Sequence, residues 1–224
     1  MNKALLLSLA LFCCGLQMQA QTMTEDEIMA KLNEASALDN AKKTAEALDA
    51  FLLIGKNMEQ QRTEVEHQIY VYCQTKACMC YETLNHYEEA YLLAKKLMVG
   101  SLTEKEKKNV GYLYAMNGYM YATSFIHGDN RQLAKARAIL KEIMPYADGK
   151  VREYALPKIP LSWYLEGAEY HLSQLYDKAL ACYQNALKGF IELRKTDDEI
   201  SVLRHIAEIK GTFYDVIGSV NAYK

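Results

Sequence analysis

One spacing recurs along this chain and limits what it can become. A small residue is followed three places later by a large one and twelve places later by alanine: Ala35–Leu38–Ala47, Cys78–Tyr81–Ala90, Ala122–Phe125–Ala134 and Gly167–Tyr170–Ala179. A partial fifth copy, Gly211–Tyr214, follows. The closing alanines stand 43, 44 and 45 residues apart. Repetition at that period marks stacked supersecondary units, none of which can bury its apolar face alone. Such stacks serve mainly as binding surfaces rather than as enzymes.

The units are helical. Apolar residues recur at helical spacing, as in Val65, Ile69, Cys73, Ala77, Cys80 and Leu84, with steps of three or four. The three prolines, Pro145, Pro157 and Pro160, are confined to one stretch. Helix starts carry the capping-box pattern, in which a Thr and a Glu three residues later satisfy each other's backbone N–H. It occurs as Thr24…Glu27, Thr63…Glu66, Thr103…Glu106 and Thr196…Glu199, in phase with the repeat. First helices are predicted over 25–38, 64–84, 104–126, 159–175 and 197–220, and second helices over 41–58, 87–99, 131–144 and 177–192. Turns fall at Leu38–Asn40, Asn85–His86, Gly128–Asn130 and Tyr176. The stretch from Tyr146 to Ile159, with Gly149 and two prolines, reads as a bend or a short extra turn.

Residues 1–20 read as a secretory signal peptide: Lys3, an uncharged apolar run from Ala4 to Cys14, and Met18-Gln19-Ala20 before a mature start at Gln21. The rival reading is a lipoprotein signal with Cys14 acylated, against which Phe12 and Cys13 stand where small residues are expected. The expected location is therefore exported, periplasmic or extracellular, with no transmembrane segment in the mature chain. Cleavage removes one Lys and no acid, so the net charge of −2 becomes −3. That balance excludes a nucleic-acid partner held by basic surplus. Cys73, Cys78, Cys80 and Cys182 remain. The first three share one predicted helix at separations of five and two, which suits neither a local disulfide nor a metal cluster. They read as small apolar fillers, with a bridge from Cys182 to the first hairpin as the other reading.

The fourth unit carries the most specific motif: Trp163, Gly167, Tyr170, Tyr176, Ala179, Tyr183 and Ala186 stand in W-x3-G-x2-Y-x5-Y-x2-A-x3-Y-x2-A. This resembles the tetratricopeptide repeat. The second unit matches through Tyr81, Tyr87 and Ala90, and the others keep the small–large–alanine core only. These units are about ten residues longer than the usual 34. The resemblance implies an all-α fold: a right-handed superhelix, or α-α solenoid, of about four helical hairpins plus a C-terminal capping helix. The expected units are 24–61, 63–101, 103–148 and 149–194 with the capping helix over 195–224, all in a single domain, 21–224.

The resemblance also implies a concave groove lined by first helices. The residues three before each small one then face it: Leu32, Thr75, Tyr119, Tyr164 and Glu208. One turn on stand Ser36, Met79, Thr123, Ala168 and Thr212, flanked by Tyr72, Met116, His127, His171 and His205. Tyr72, Thr75, Met79, Met116, Tyr119, Thr123, Tyr164, Ala168, His171, His205 and Glu208 are the candidate partner-binding residues. The paired Lys, Arg and Asn with which one subtype of the family grips a C-terminal carboxylate are missing from these positions. Helix 104–126 is apolar on two sides, Val110, Leu113, Tyr114 and Tyr121 on one and Tyr112, Met116, Tyr119 and Met120 on the other. The second side is either a binding face, or extra burial or a dimer contact.

No phosphate-binding glycine loop or G-x-S-x-G elbow occurs, and the five histidines show no i, i+4 ligand pairing. Acidic runs such as Asp197-Asp198-Glu199 fall in helix first turns, where they oppose the helix dipole. The sequence therefore reads as a non-enzymatic scaffold for a protein or peptide partner, with no metal or cofactor. A second reading makes it the sensory repeat half of an envelope signalling system, cut from a longer receptor.

Overall fold

The structure, a computed structural model, describes residues 23–60, 63–128 and 131–222, without the side chains of 213–222. The expected signal peptide with Cys14 and Gln21, the turn residue Asn130 and the side chain of Tyr214 lie outside the described residues. All regular secondary structure among the described residues is α-helical, with no strand among them. The helices are α1 (Glu25–Asn40), α2 (Thr44–Asn57), α3 (Glu64–Thr83), α4 (Tyr87–Met98) and α5 (Glu104–His127). They continue with α6 (Leu133–Ile143), α7 (Gly149–Ala155), α8 (Lys158–Leu172), α9 (Tyr176–Glu192) and α10 (Thr196–Ala222).

The chain divides into two compact units at Cys80, within α3. In the first, α1 and α2 pack as a hairpin around Ala35, Ala47, Phe51 and Ile54, all fully buried. Cys73 and the buried amide of Gln74 on α3 close over Gly55, where an added Cβ would collide with Gln74 Nε2. In the second, α4 packs on α5, α5 on α6, α6 on α8, α8 on α9 and α9 on α10, while α7 lies against α5 and α8. The expected extra turn before the fourth unit is α7, seven residues long.

Three predicted capping boxes are present. Thr24 and Thr103 take extended N-cap geometry and exchange both hydrogen bonds with Glu27 and Glu106. Thr63 N–H donates to Glu66 Oε2 at 2.8 Å, and Glu66 N–H returns to Thr63 Oγ1 at 3.2 Å. The fourth expected box does not form. The N–H of Glu199 donates to the Lys195 carbonyl, so Thr196 already sits inside α10.

The hairpins turn by another device. The N–H of Lys43, His86 and Leu175, each the N-cap of a second helix, donates to the carbonyl five residues back: Leu38, Tyr81 and Tyr170. Those acceptors are the large residues of the repeat. The residue before each N-cap, Lys42, Asn85 or Gln174, is left-handed with φ near 60°, which costs a non-glycine residue about 1 kcal/mol. The join from α9 to α10 repeats this turn, with Arg194 left-handed and Lys195 N–H on the Phe190 carbonyl.

The third hairpin departs. Gln132, the N-cap of α6, reaches back seven residues to Phe125, so its turn is two residues longer. The buried alanine four past each N-cap is Ala47, Ala90 or Ala179 in the other hairpins and Ala136 here. Ala134, expected from the spacing, is exposed. Val65, the first of the apolar residues at helical spacing on α3, is exposed too. Gly167, the small residue of the fourth unit, marks a close approach of α8 and α9: a Cβ there would lie 2.8 Å from the Tyr183 ring and 3.2 Å from Cys182 Cβ. Its counterpart Gly211 is exposed, with open space at the Cβ position.

Candidate functional site

Polar and aromatic side chains converge most densely where α8, α9 and α10 meet. His171 lies on the last turn of α8, Tyr183 near the middle of α9, and His205 and Glu208 one turn apart on α10. The close approach at Gly167 buries Tyr183 completely. The Tyr183 ring stacks on the His205 imidazole at 5.4 Å and 11°. His171 sets its ring edge-to-face on both, at 6.2 Å from Tyr183 and 5.9 Å from His205. Tyr164 Oη lies 3.1 Å from His205 Nε2.

Two polar atoms here are buried without a hydrogen-bond partner, Tyr183 Oη and His205 Nδ1. Burial pushes the Tyr183 phenol up to about 12, with Tyr164, Glu208 and Cys182 adding in the same direction. His205 Nδ1 faces Glu208 Oε2 at 3.5 Å, too long for a good hydrogen bond. One ligand-type atom from each of His171, His205 and Glu208 lies within 4.8 Å of the other two.

Four of the predicted partner-binding residues, Tyr164, His171, His205 and Glu208, are thus gathered in one place. Ala168 is half-buried on α8. Met116, Tyr119 and Thr123 line one side of α5 and are half-buried, continuous with Tyr112, which is 44% exposed. Tyr119 stacks with Tyr154 of α7 at 6.5 Å. The opposite side of α5 is the core face, with Val110, Tyr114 and Tyr121 buried. In the first unit, Tyr72 (42% exposed) and Met79 (46%) stand two turns apart on α3, with Thr75 half-buried between them. Tyr72 also sets its ring edge-on to Phe51 at 6.2 Å.

Two polar clusters passed over in the sequence have a clear structural use. Glu142 accepts from Tyr91 at 3.0 Å and from Tyr114, and pairs with Lys95 at 2.6 Å. Burial pulls its carboxyl up, but these donors outweigh it and hold the carboxyl below its ordinary value. Arg137 is buried on α6, hydrogen-bonds Glu166 of α8, and lies 3.6 Å from the Trp163 ring centroid. The Trp of the repeat motif therefore stacks on a cation from the preceding hairpin. Cys73, Cys78, Cys80 and Cys182 are all buried. Burial raises the Cys73 thiol to about 12. No helix among the described residues is long and apolar enough to cross a membrane. No protein-family model and no curated protein matches this chain.

Proposed function

We propose that this chain is an exported, non-enzymatic scaffold of tetratricopeptide-like hairpins arranged as a right-handed solenoid, and that its first helices present a surface to a peptide or protein partner. The repeated left-handed turn supports the repeat reading, because one backbone solution recurs on unrelated side chains: Lys42, Asn85 and Gln174. The observation that carries the binding reading is α5. Its core face is complete, yet a second side displays Tyr112, Met116 and Tyr119 in continuous apolar register with partial exposure. Aromatic and Met side chains held this way concentrate binding energy when a partner covers them.

The test is partner capture by chemical crosslinking from the envelope fraction of the source cell. The purified protein is one bait and a Tyr112→Ser/Met116→Ser variant the other, with far-ultraviolet circular dichroism confirming that the variant is folded. A partner held by the native protein and lost from the folded variant supports the α5 surface. The same set captured by both removes it.

A further inference from the structure

The cluster at α8, α9 and α10, whose His171, His205 and Glu208 the sequence reading placed among the partner-binding residues, also has the composition of a ligand set. We propose that His171, His205 and Glu208 bind one divalent transition-metal ion of the zinc class, tying the last turn of α8 to α10.

The geometry carries the argument. A tetrahedral ion with nitrogen and oxygen ligands at about 2.0–2.2 Å spaces those ligands about 3.3–3.5 Å apart. His205 Nδ1 and Glu208 Oε2 stand 3.5 Å apart. That separation is poor for a hydrogen bond and right for two ligands of one ion. A ring nitrogen of His171 lies within 4.8 Å of a ligand atom on each of His205 and Glu208, so a shift of about 1–1.5 Å, within reach of side-chain rotation, completes a three-ligand face.

The electronic state of His205 fits as well. Its Nδ1 is buried and makes no hydrogen bond, so in the tautomer with the proton on Nε2 it offers a lone pair to an ion. Its Nε2 is held at 3.1 Å by Tyr164 Oη. A ligating imidazole carries its proton on the other nitrogen and donates it to a fixed oxygen, which sets the tautomer and the ring plane. The parallel Tyr183 ring fixes that plane from the other side. Two imidazoles and one carboxylate select zinc, copper(II) or nickel(II) over magnesium and calcium, which need more oxygen ligands. The Glu208 side chain is 59% exposed, so the fourth position opens to solvent.

The test uses protein purified without a polyhistidine tag and stripped with chelator. Calorimetric titration with zinc chloride, and visible absorption with cobalt(II), read stoichiometry and coordination. The expected result is one ion per chain, a four-coordinate cobalt spectrum, a melting temperature raised by several degrees with zinc and unchanged with magnesium, and at least a ten-fold loss of affinity in His171→Ala. Because His171 also packs on Tyr176 and Tyr183, a second variant is needed. Glu208→Gln alters an exposed side chain and should fold as the native protein while losing at least ten-fold in zinc affinity. His127→Ala, on α5, should bind as the native protein does. No binding, or binding unchanged in both ligand variants, overturns the proposal.

Discussion

Replacing Gly167 with Ala puts the hairpin contact to a quantitative test. Gly167 lies inside α8, where Ala is preferred over Gly by about 0.8–1 kcal/mol on propensity alone. Against that gain stands the new methyl group, 2.8 and 2.9 Å from Tyr183 Cδ1 and Cε1 and 3.2 Å from Cys182 Cβ. Tyr183 cannot slide away cheaply. It is fully buried and its ring is held between Tyr164, His171 and His205. Overpacking of this kind costs about 1–3 kcal/mol, so the net change is a loss of about 1 kcal/mol. Gly211→Ala is the matched control. It sits in α10 with open space around the Cβ position and should gain close to the full propensity term, about 0.8 kcal/mol. The assay is urea unfolding followed by the fluorescence of Trp163, the one tryptophan in the chain and a neighbour of Gly167 on α8. With equal slopes, the two midpoints should move in opposite directions. If Gly167→Ala stabilises as much as Gly211→Ala, α8 and α9 do not approach at Gly167 and the account of the repeat's small position fails.

Four further outcomes are expected. Arg137→Ala should cost about 3 kcal/mol, because it leaves the Glu166 carboxylate unpaired in a largely buried setting; a loss below about 1 kcal/mol in urea unfolding would show that the pair is solvated. Tyr183→Phe should be neutral or stabilise by up to about 1 kcal/mol, since the deleted hydroxyl is buried without a partner, and a clear loss would reveal a partner for it. Cys73, Cys78, Cys80 and Cys182 should resist a thiol reagent in the native protein at pH 8 and react on unfolding, Cys73 slowest because its thiol is raised to about 12; rapid native labelling of these four would contradict their burial. Glu142, whose carboxyl is held below its ordinary value, contributes stability that is present at neutral pH and lost as pH falls through the folded-state pKa. The gap in melting temperature between the native protein and Glu142→Gln should therefore close in acid, and a gap independent of pH would refute the assignment.

The helices and most of the hairpin register were legible because they rest on local signals. Capping boxes and small–large pairs involve residues three apart, and the helix period fixes which of them share a face. The third hairpin shows where this stops. Its turn is two residues longer, and the alternating alanines Ala134, Ala136 and Ala138 offer the pattern several places to land. Spacing alone selected Ala134, whereas the hydrogen bond from Gln132 to Phe125 sets Ala136 inward. At Thr196 the Thr and Glu were correctly spaced, but the tight turn through Arg194 puts Lys195 at the cap position, so Thr196 is already the first residue of the helix. Within the candidate site, Tyr164, His171, His205 and Glu208 were each placed on one expected face, yet their mutual contact was invisible. His171 and His205 are 34 residues apart, and only the packing of α8, α9 and α10 brings them together. The one local hint was His205 and Glu208 at i, i+3, a spacing that lets one helical turn offer two ligands.

The turn between α9 and α10 has a mechanical consequence. Lys195 N–H is bonded directly to the carbonyl of Phe190, whose side chain is buried in the core. This leaves no slack at the join. A pull or a push on α10 is passed straight into the packing around Phe190 and Val202 instead of being absorbed by a linker. The start of α10 is therefore anchored to the core of its unit by a single tight turn, and a load applied there would be felt first by the interior.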